Sequence, residues 1–137
     1  MSTKRMFSNT VIVALSLIVS VTIFSSCGSA VDKLIELTAQ QGNKNCPISI
    51  SSDLRMDSIG SPASKTLAYY YTLINAEKET YEPEVDMDQM KEVMIEAVKN
   101  LSELDQLKKL DVIFEYVYFD KNGQKIFVID ITPKDYK

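Results

Sequence analysis

The chain has 137 residues, 45% hydrophobic and 25% charged, which fits a single globular domain and argues against a disordered or coiled-coil protein. Asp and Glu (19) outnumber Lys and Arg (15), and the net charge of −4 argues against nucleic acid as the main partner. The chain contains no His, which excludes Ser-His-Asp and Cys-His catalysis and the HExxH zinc site, and no other motif predicts a metal or cofactor.

The first 26 residues have the pattern of an export signal. Lys4 and Arg5 precede a mostly apolar run, residues 11–24, which is shorter than the roughly 20 residues that span a bilayer. Small residues at positions 25 and 26 then lead to Cys27. This order resembles the lipobox of bacterial lipoproteins, although the family prefers an aliphatic residue where Phe24 stands. An ordinary secretory signal and an uncleaved anchor helix are the alternatives.

The lipobox resemblance implies a mature domain of residues 27–137, whose Cys27 carries a diacylglycerol and an N-acyl chain. Several acyl chains hold a protein at a membrane much better than one. In Gram-negative sorting, an Asp after the acylated Cys favours the inner membrane. Gly28 stands there instead, so the resemblance implies the outer membrane, and with no acidic cluster after Cys27 we expect the periplasmic face.

Lipidation of Cys27 would leave Cys46 as the one remaining thiol. A reactive thiol needs a stabilised thiolate, and the chain has no His to act as its base. We therefore expect Cys46 to be a small, partly buried residue next to Pro47. An intermolecular disulfide and a catalytic role remain alternatives.

The first half of the mature chain predicts a helix followed by a hairpin. Apolar residues at positions 31, 34, 35 and 38 have helical spacing, and Gly42 marks the end of that helix. Alternation predicts strands over residues 48–59, with an irregularity near Ser52, and over 65–74. The Gly- and Pro-containing turn between them favours an antiparallel hairpin.

A second helix and a second hairpin follow. From Met87 to Leu101, apolar residues recur at three- and four-residue steps, which predicts an amphipathic helix with a short continuation over 102–107. Asn122-Gly123 then separates two alternating runs, a strong hairpin signal. A two-residue turn would pair Tyr118 with Phe127, Tyr116 with Ile129, Phe114 with Ile131 and Phe119 with Ile126. A bulged turn that uses Asp120 would change the local pairing but not the faces.

The same register predicts a candidate binding surface on the other side of this hairpin. It places Glu115 opposite Asp130, beside Val117 and Phe119, and Tyr70 of the first hairpin is a further candidate. Tyr is common at binding surfaces because its ring offers apolar area and a polar tip. The two carboxylates could instead form a small cation site or a pair that shares a proton, or simply be solvated.

These elements predict an α+β domain: an antiparallel four-stranded sheet of two hairpins with helices on one face, in the order helix, hairpin, helix, hairpin. The mature part also resembles a group of small uncharacterised exported bacterial proteins. The resembling strings are Asn45-Cys46-Pro47, Tyr69 to Leu73, Tyr116 to Gly123, Ile129 to Pro133 and Tyr136. That resemblance implies a compact α+β domain, cystatin-like or nuclear-transport-factor-like, and carries over no catalytic residue.

Three functions are compatible with this sequence. The leading hypothesis is a non-enzymatic, membrane-anchored periplasmic lipoprotein that binds an envelope protein, a peptide or a small ligand through its sheet or a sheet edge. The second is a small envelope enzyme that uses Glu115 and Asp130 as an acid–base pair, which requires a concave pocket containing both. The third is a purely structural envelope protein.

Overall fold

The structure is a computed structural model that describes residues 29–137 except Val85. The predicted signal, residues 1–26, and the predicted lipidation site Cys27 lie outside the described residues. Asp32–Lys137 forms one compact unit. Within the described part of the chain, no helix is long and apolar enough to cross a membrane.

The predicted order of helix, hairpin, helix, hairpin is only partly matched, because three strands follow the first helix and a further short helix ends the described chain. The helices are α1 (Ser29–Asn43), α2 (Met87–Asn100), α3 (Asp105–Lys109, after a 3-10 turn at Ser102–Leu104) and α4 (Pro133–Tyr136). The strands are β1 (Ile48–Ser49), β2 (Leu54–Gly60), β3 (Thr66–Leu73), β4 (Ile113–Phe119) and β5 (Lys125–Ile131). The mixed α+β class is confirmed.

The sheet has five strands in the order β1-β2-β3-β4-β5, so the predicted four-stranded antiparallel sheet is wrong in two respects. The stretch 48–59 forms two strands, because residues 50–53 turn the chain and β1 pairs back on β2. The two hairpins also join through a parallel pair, β3 with β4, whereas the other pairs are antiparallel. Parallel neighbours need a long crossover, which the segment containing α2 and α3 provides.

The second hairpin has the predicted register except beside its turn. Phe114 pairs with Ile131, Tyr116 with Ile129 and Tyr118 with Phe127, as predicted. Phe119 pairs with Lys125 instead of Ile126, because the register shifts after Tyr118. The loop is bulged: the Asp120 amide donates to the Gln124 carbonyl (2.8 Å), and Gly123 takes a φ of 80°, which glycine adopts without steric cost.

One face of the sheet, which we call the inner face, carries the core. Leu67, Phe114 and Ile131 on this face are fully buried. The short helix α4 was not predicted from the sequence. It packs the Tyr136 ring against the Phe114 ring, with the ring centroids 5.8 Å apart. The Tyr136 hydroxyl donates a hydrogen bond to the Val112 carbonyl at 2.7 Å. The signal for α4 was Thr132-Pro133 followed by Asp135, which forms a capping box.

The inner face also carries a row of stacked aromatic rings that crosses three strands. The row runs through Tyr69, Tyr116, Tyr71, Tyr118 and Phe127, with neighbouring centroids 4.5–6.4 Å apart. Burial raises the pKa of Tyr69, Tyr71 and Tyr118 to about 12. These side chains therefore stay neutral at physiological pH and contribute mainly apolar area to the packing.

The crossover is fastened at the C-terminus of α2 by Lys108. Its Nζ donates to the carbonyls of Val98 (2.9 Å), Lys99 (2.8 Å) and Leu101 (3.3 Å) and pairs with Asp105 at 2.8 Å. A cation at a helix C-terminus satisfies carbonyls that have no partner within the helix and matches the helix dipole. Lys108 thus connects the end of α2 to α3.

We expect Lys108→Met to lower the free energy of unfolding by about 2–3 kcal/mol, because it keeps the apolar stem but leaves the three carbonyls without their charged donor. Urea unfolding of the purified chain, followed by circular dichroism, measures this change. The control is Lys109→Met on the exposed neighbour, with an expected change below about 0.5 kcal/mol. Equal effects of the two substitutions would contradict this role of Lys108.

Candidate binding surfaces

The opposite side of the sheet, which we call the outer face, brings the five predicted binding residues together. In the central strand pair Tyr70 lies beside Val117, and Glu115 pairs with Asp130 as predicted. The rings of Tyr70 and Phe119 are 6.4 Å apart. The sequence-derived set is therefore one continuous patch built by β3, β4 and β5.

The members of this patch differ in their access to solvent. Asp130 is exposed, and Glu115, Tyr70 and Phe119 are half-buried. Val117 is only 1% exposed, so it supports the patch and is a poor candidate for direct contact. Its cross-strand neighbour Val128, absent from the predicted binding set, is 38% exposed and offers the apolar contact expected of Val117.

The outer face presents carboxylates and aromatic edges on an open surface. Burial, and to a smaller extent the nearby Glu115 carboxylate, raises the pKa of the Tyr70 hydroxyl, so it stays a hydrogen-bond donor at neutral pH. An acid–base pair needs an enclosed site that separates the two pKa values. Glu115 and Asp130 instead lie side by side on this open sheet surface.

The charge at the β2 side of the outer face is already paired. Asp57 lies where the β2–β3 register shifts. It accepts hydrogen bonds from Arg55 Nε and Thr72 Oγ1, both at 2.5 Å. Because Arg55 is neutralised by Asp57, this end of the outer face adds no unpaired cation to offset Glu115 and Asp130.

A groove of about 520 Å³ lies at the end of the sheet where β3 ends and β2 begins. Ten residues line it: Asp53, Leu73, Asn75, Ala76, Glu77, Thr80, Tyr81, Glu82, Glu84 and Met90. The groove combines apolar side chains with four carboxylates. Sequence analysis missed it because most of its lining comes from the β3–α2 loop, which has no periodic pattern.

Asp120 holds this loop against the second hairpin. Its buried carboxylate accepts backbone N–H groups from Lys78 (3.1 Å), Asn122 (2.8 Å) and Gln124 (2.8 Å). Burial alone would raise the pKa of Asp120, but these three donors outweigh it and lower the pKa below 3.8. The Lys121 amide adds a bond to the Ala76 carbonyl at 3.0 Å.

Cys46 and the acidic side chains were the candidates for chemistry that needs a thiol or a metal ion. Cys46 is half-buried and free, and its thiol donates to the Gly42 carbonyl at 3.6 Å, as expected for a small packed residue. Among residues 29–84 and 86–137, no group of three or more Cys, Asp or Glu side chains could hold a metal ion.

Comparison with protein-family models finds one match. A family described as "Domain of unknown function (DUF8479)" matches residues 29–128, which is most of the described chain, from the start of α1 into β5. A comparison with curated protein sequences finds no match.

Solved structures with the same fold include a candidate secreted protein and two pilotins of type II secretion systems. A candidate secreted protein of Pseudomonas aeruginosa aligns with a TM-score of 0.70 and 14% identity, over 80% of this chain and 96% of its own. The pilotin EpsS of the Vibrio vulnificus type 2 secretion system aligns with a TM-score of 0.63 and 11% identity, over 80% and 94%. The type II secretion system pilotin AspS of Vibrio cholerae gives 0.60 and 9%, over 82% and 97%. The TM-scores of 0.60–0.70 show a shared fold, and at these low identities the likeness is one of fold alone.

We expect Asp120→Asn to lower the urea midpoint at neutral pH by about 1 M, because an amide nitrogen replaces one acceptor and leaves a backbone N–H unpaired. Since the folded pKa of Asp120 is depressed, its stabilisation exists above pH 3.8 and is lost as pH falls towards the folded value. The difference between wild type and variant should therefore shrink at about pH 3. Urea titrations at both pH values measure it, with Asp130→Asn as the exposed control. A difference independent of pH would contradict this account.

Proposed function

The chain belongs to the family that carries the domain of unknown function DUF8479, and we propose that this member is a non-enzymatic binding component of the bacterial cell envelope. In this proposal a lipid on Cys27 holds it at the outer membrane, facing the periplasm. A patch on its outer face contacts an envelope protein. The patch consists of Tyr70, Glu115, Phe119, Val128 and Asp130.

The observation that carries the proposal is the fold, which the chain shares with two pilotins of type II secretion systems. Secretion systems are protein assemblies, so this fold serves elsewhere as a component beside other proteins of the envelope. The absence of His from the chain and the open position of Glu115 and Asp130 also favour binding over catalysis.

The sequence before the domain supports the membrane anchor. Positive residues, an apolar run, small residues and Cys27 follow one another in the order of a lipobox. Helix α1 begins at Ser29, two residues after the proposed lipid, so the tether is short. A short tether holds the domain close to the membrane surface, where it can meet membrane-embedded partners.

The outer face supports the protein contact. Aromatic rings that combine apolar area with a polar tip are enriched at protein interfaces. Tyr70 and Phe119 lie together here, beside exposed Val128 and the carboxylates of Glu115 and Asp130. The apolar centre and the charged rim match the usual anatomy of an interface.

We expect Cys27→Ser to abolish acylation and release the chain from the membrane fraction of a Gram-negative host, whereas the control Cys46→Ser remains acylated and membrane-bound. Intact mass of the detergent-purified wild type should show the loss of residues 1–26 and the addition of acyl chains. A stoichiometric protein that co-purifies in mild detergent would support the binding role. An unacylated wild-type mass, or Cys27→Ser that fractionates like wild type, would contradict the anchor.

A further inference from the structure

The groove at the end of β3 has an apolar floor, and none of its apolar residues belongs to the outer-face patch. Leu73 ends β3, Met90 lies in the first turn of α2, and Tyr81 comes from the loop between them. The Tyr81 ring stacks on Phe127 of the inner face at 5.9 Å, which continues the aromatic row to the edge of the groove. Tyr81 and Met90 are only half-buried, so apolar area remains available to a ligand.

Carboxylates surround this floor and are mostly unneutralised. Glu77 pairs with Lys121 at 2.5 Å. Asp53, Glu82 and Glu84 have no ion pair among the described residues, although Asp53 accepts a hydrogen bond from Asn75 at 2.6 Å. Between residues 76 and 90 the chain has six acidic residues and one Lys. An apolar floor with an anionic rim is complementary to a segment that is both apolar and cationic.

We propose that this groove binds a basic, partly apolar segment of a partner protein, with Arg or Lys side chains at Glu82, Glu84 and Asp53 and an apolar side chain on Tyr81 and Met90. The volume of about 520 Å³ lies in the range of ligand sites that hold a few side chains. The inference deepens the proposed function, on which it rests, because it states the chemistry of the partner.

The groove and the start of α1 lie at opposite ends of β2 and β3. Near the start of α1, Asp32 accepts a hydrogen bond from the Lys65 amide at 2.8 Å, at the β2–β3 turn. The groove lies at the other end of these strands, beyond Leu73. The eight residues of β3 separate the two ends by about 25 Å.

The test measures binding of short fluorescein-labelled peptides to the full chain in a mild non-ionic detergent by fluorescence anisotropy. One peptide contains Arg and Leu in Gly-rich sequence, a second replaces each Arg with Glu, and a third replaces each Leu with Ser. We expect the Arg-Leu peptide to bind best and to weaken as salt is added, since salt screens exposed charges.

Variants of the groove and of a matched surface distinguish specific from general attraction. Glu82→Gln with Glu84→Gln should weaken binding of the Arg-Leu peptide about tenfold. The control, Glu92→Gln with Glu96→Gln on exposed positions of α2, removes the same charge and should change binding less than about twofold. Thr80→Arg, which places a cation at the groove rim, should also weaken binding by occupying the carboxylates.

Each alternative result overturns the inference. Equal weakening by the groove and control pairs would show only that an acidic protein attracts a basic peptide. If the peptide in which Ser replaces Leu binds as well as the Arg-Leu peptide, the apolar side chains of the groove do not contribute to binding. If no peptide binds, the groove is not a peptide-binding site. If the Cys27 result and a co-purifying partner persist while the peptide test fails, the groove proposal fails and the proposed function stands.

Discussion

The parallel pairing of β3 with β4 is the constraint on which the rest of the structure depends. It aligns Thr66–Thr72 with Ile113–Phe119, residue by residue, and so joins two hairpins into one sheet. Because successive side chains of a strand point to opposite sides of the sheet, this register decides which residues of β3 and β4 are neighbours on each face. Leu67 and Phe114 meet in the core, whereas Tyr70 and Val117 meet on the outer face. The crossover that makes the pairing possible also places α2 beside the groove.

The two faces of the sheet have different physical roles. On the inner face, stacked tyrosines and the fully buried Phe114 and Ile131 supply most of the aromatic and apolar packing. On the outer face, Val128 remains 38% exposed between acidic and aromatic neighbours. The exposed part of the outer face around Val128 and Asp130 is available to another molecule, although Val117 beneath it is buried. This asymmetry is the structural basis of the proposed binding role.

The sequence pattern predicted the features of the second hairpin that depend on residues close together in the chain. Alternation around Asn122-Gly123 predicted the pairing of Glu115 with Asp130 correctly, because the apolar pattern fixes which residues share a face and the turn signal fixes the pairing. The same alternation placed Glu115, Phe119 and Asp130 on one face of this hairpin, and only the β3–β4 pairing brings Tyr70 beside them. The predicted pairing of Phe119 with Ile126 is wrong, since a bulged loop shifts the register without changing the hydrophobic pattern.

Features that depend on tertiary arrangement could not be predicted in this way. The hairpin sequences contain no local signal for which strand of one hairpin pairs with which strand of the other. The parallel pairing of β3 with β4 was therefore not predicted. The burial of Val117 depends on its neighbours across two strand pairs, and the groove depends on how Asp120 fastens a loop without periodicity. The short helix α4 was missed because four residues are too few for a hydrophobic period to appear.

The proposed contact between the outer face and an envelope protein can be tested in living cells. Its most direct test is photo-crosslinking in living host cells from a benzoylphenylalanine residue placed at Val128. A matched probe at Val93, which is 65% exposed on α2, serves as the control. The account predicts a discrete adduct with one envelope protein from position 128 and none from position 93. The same adduct pattern from both positions, or no adduct from position 128, would contradict it.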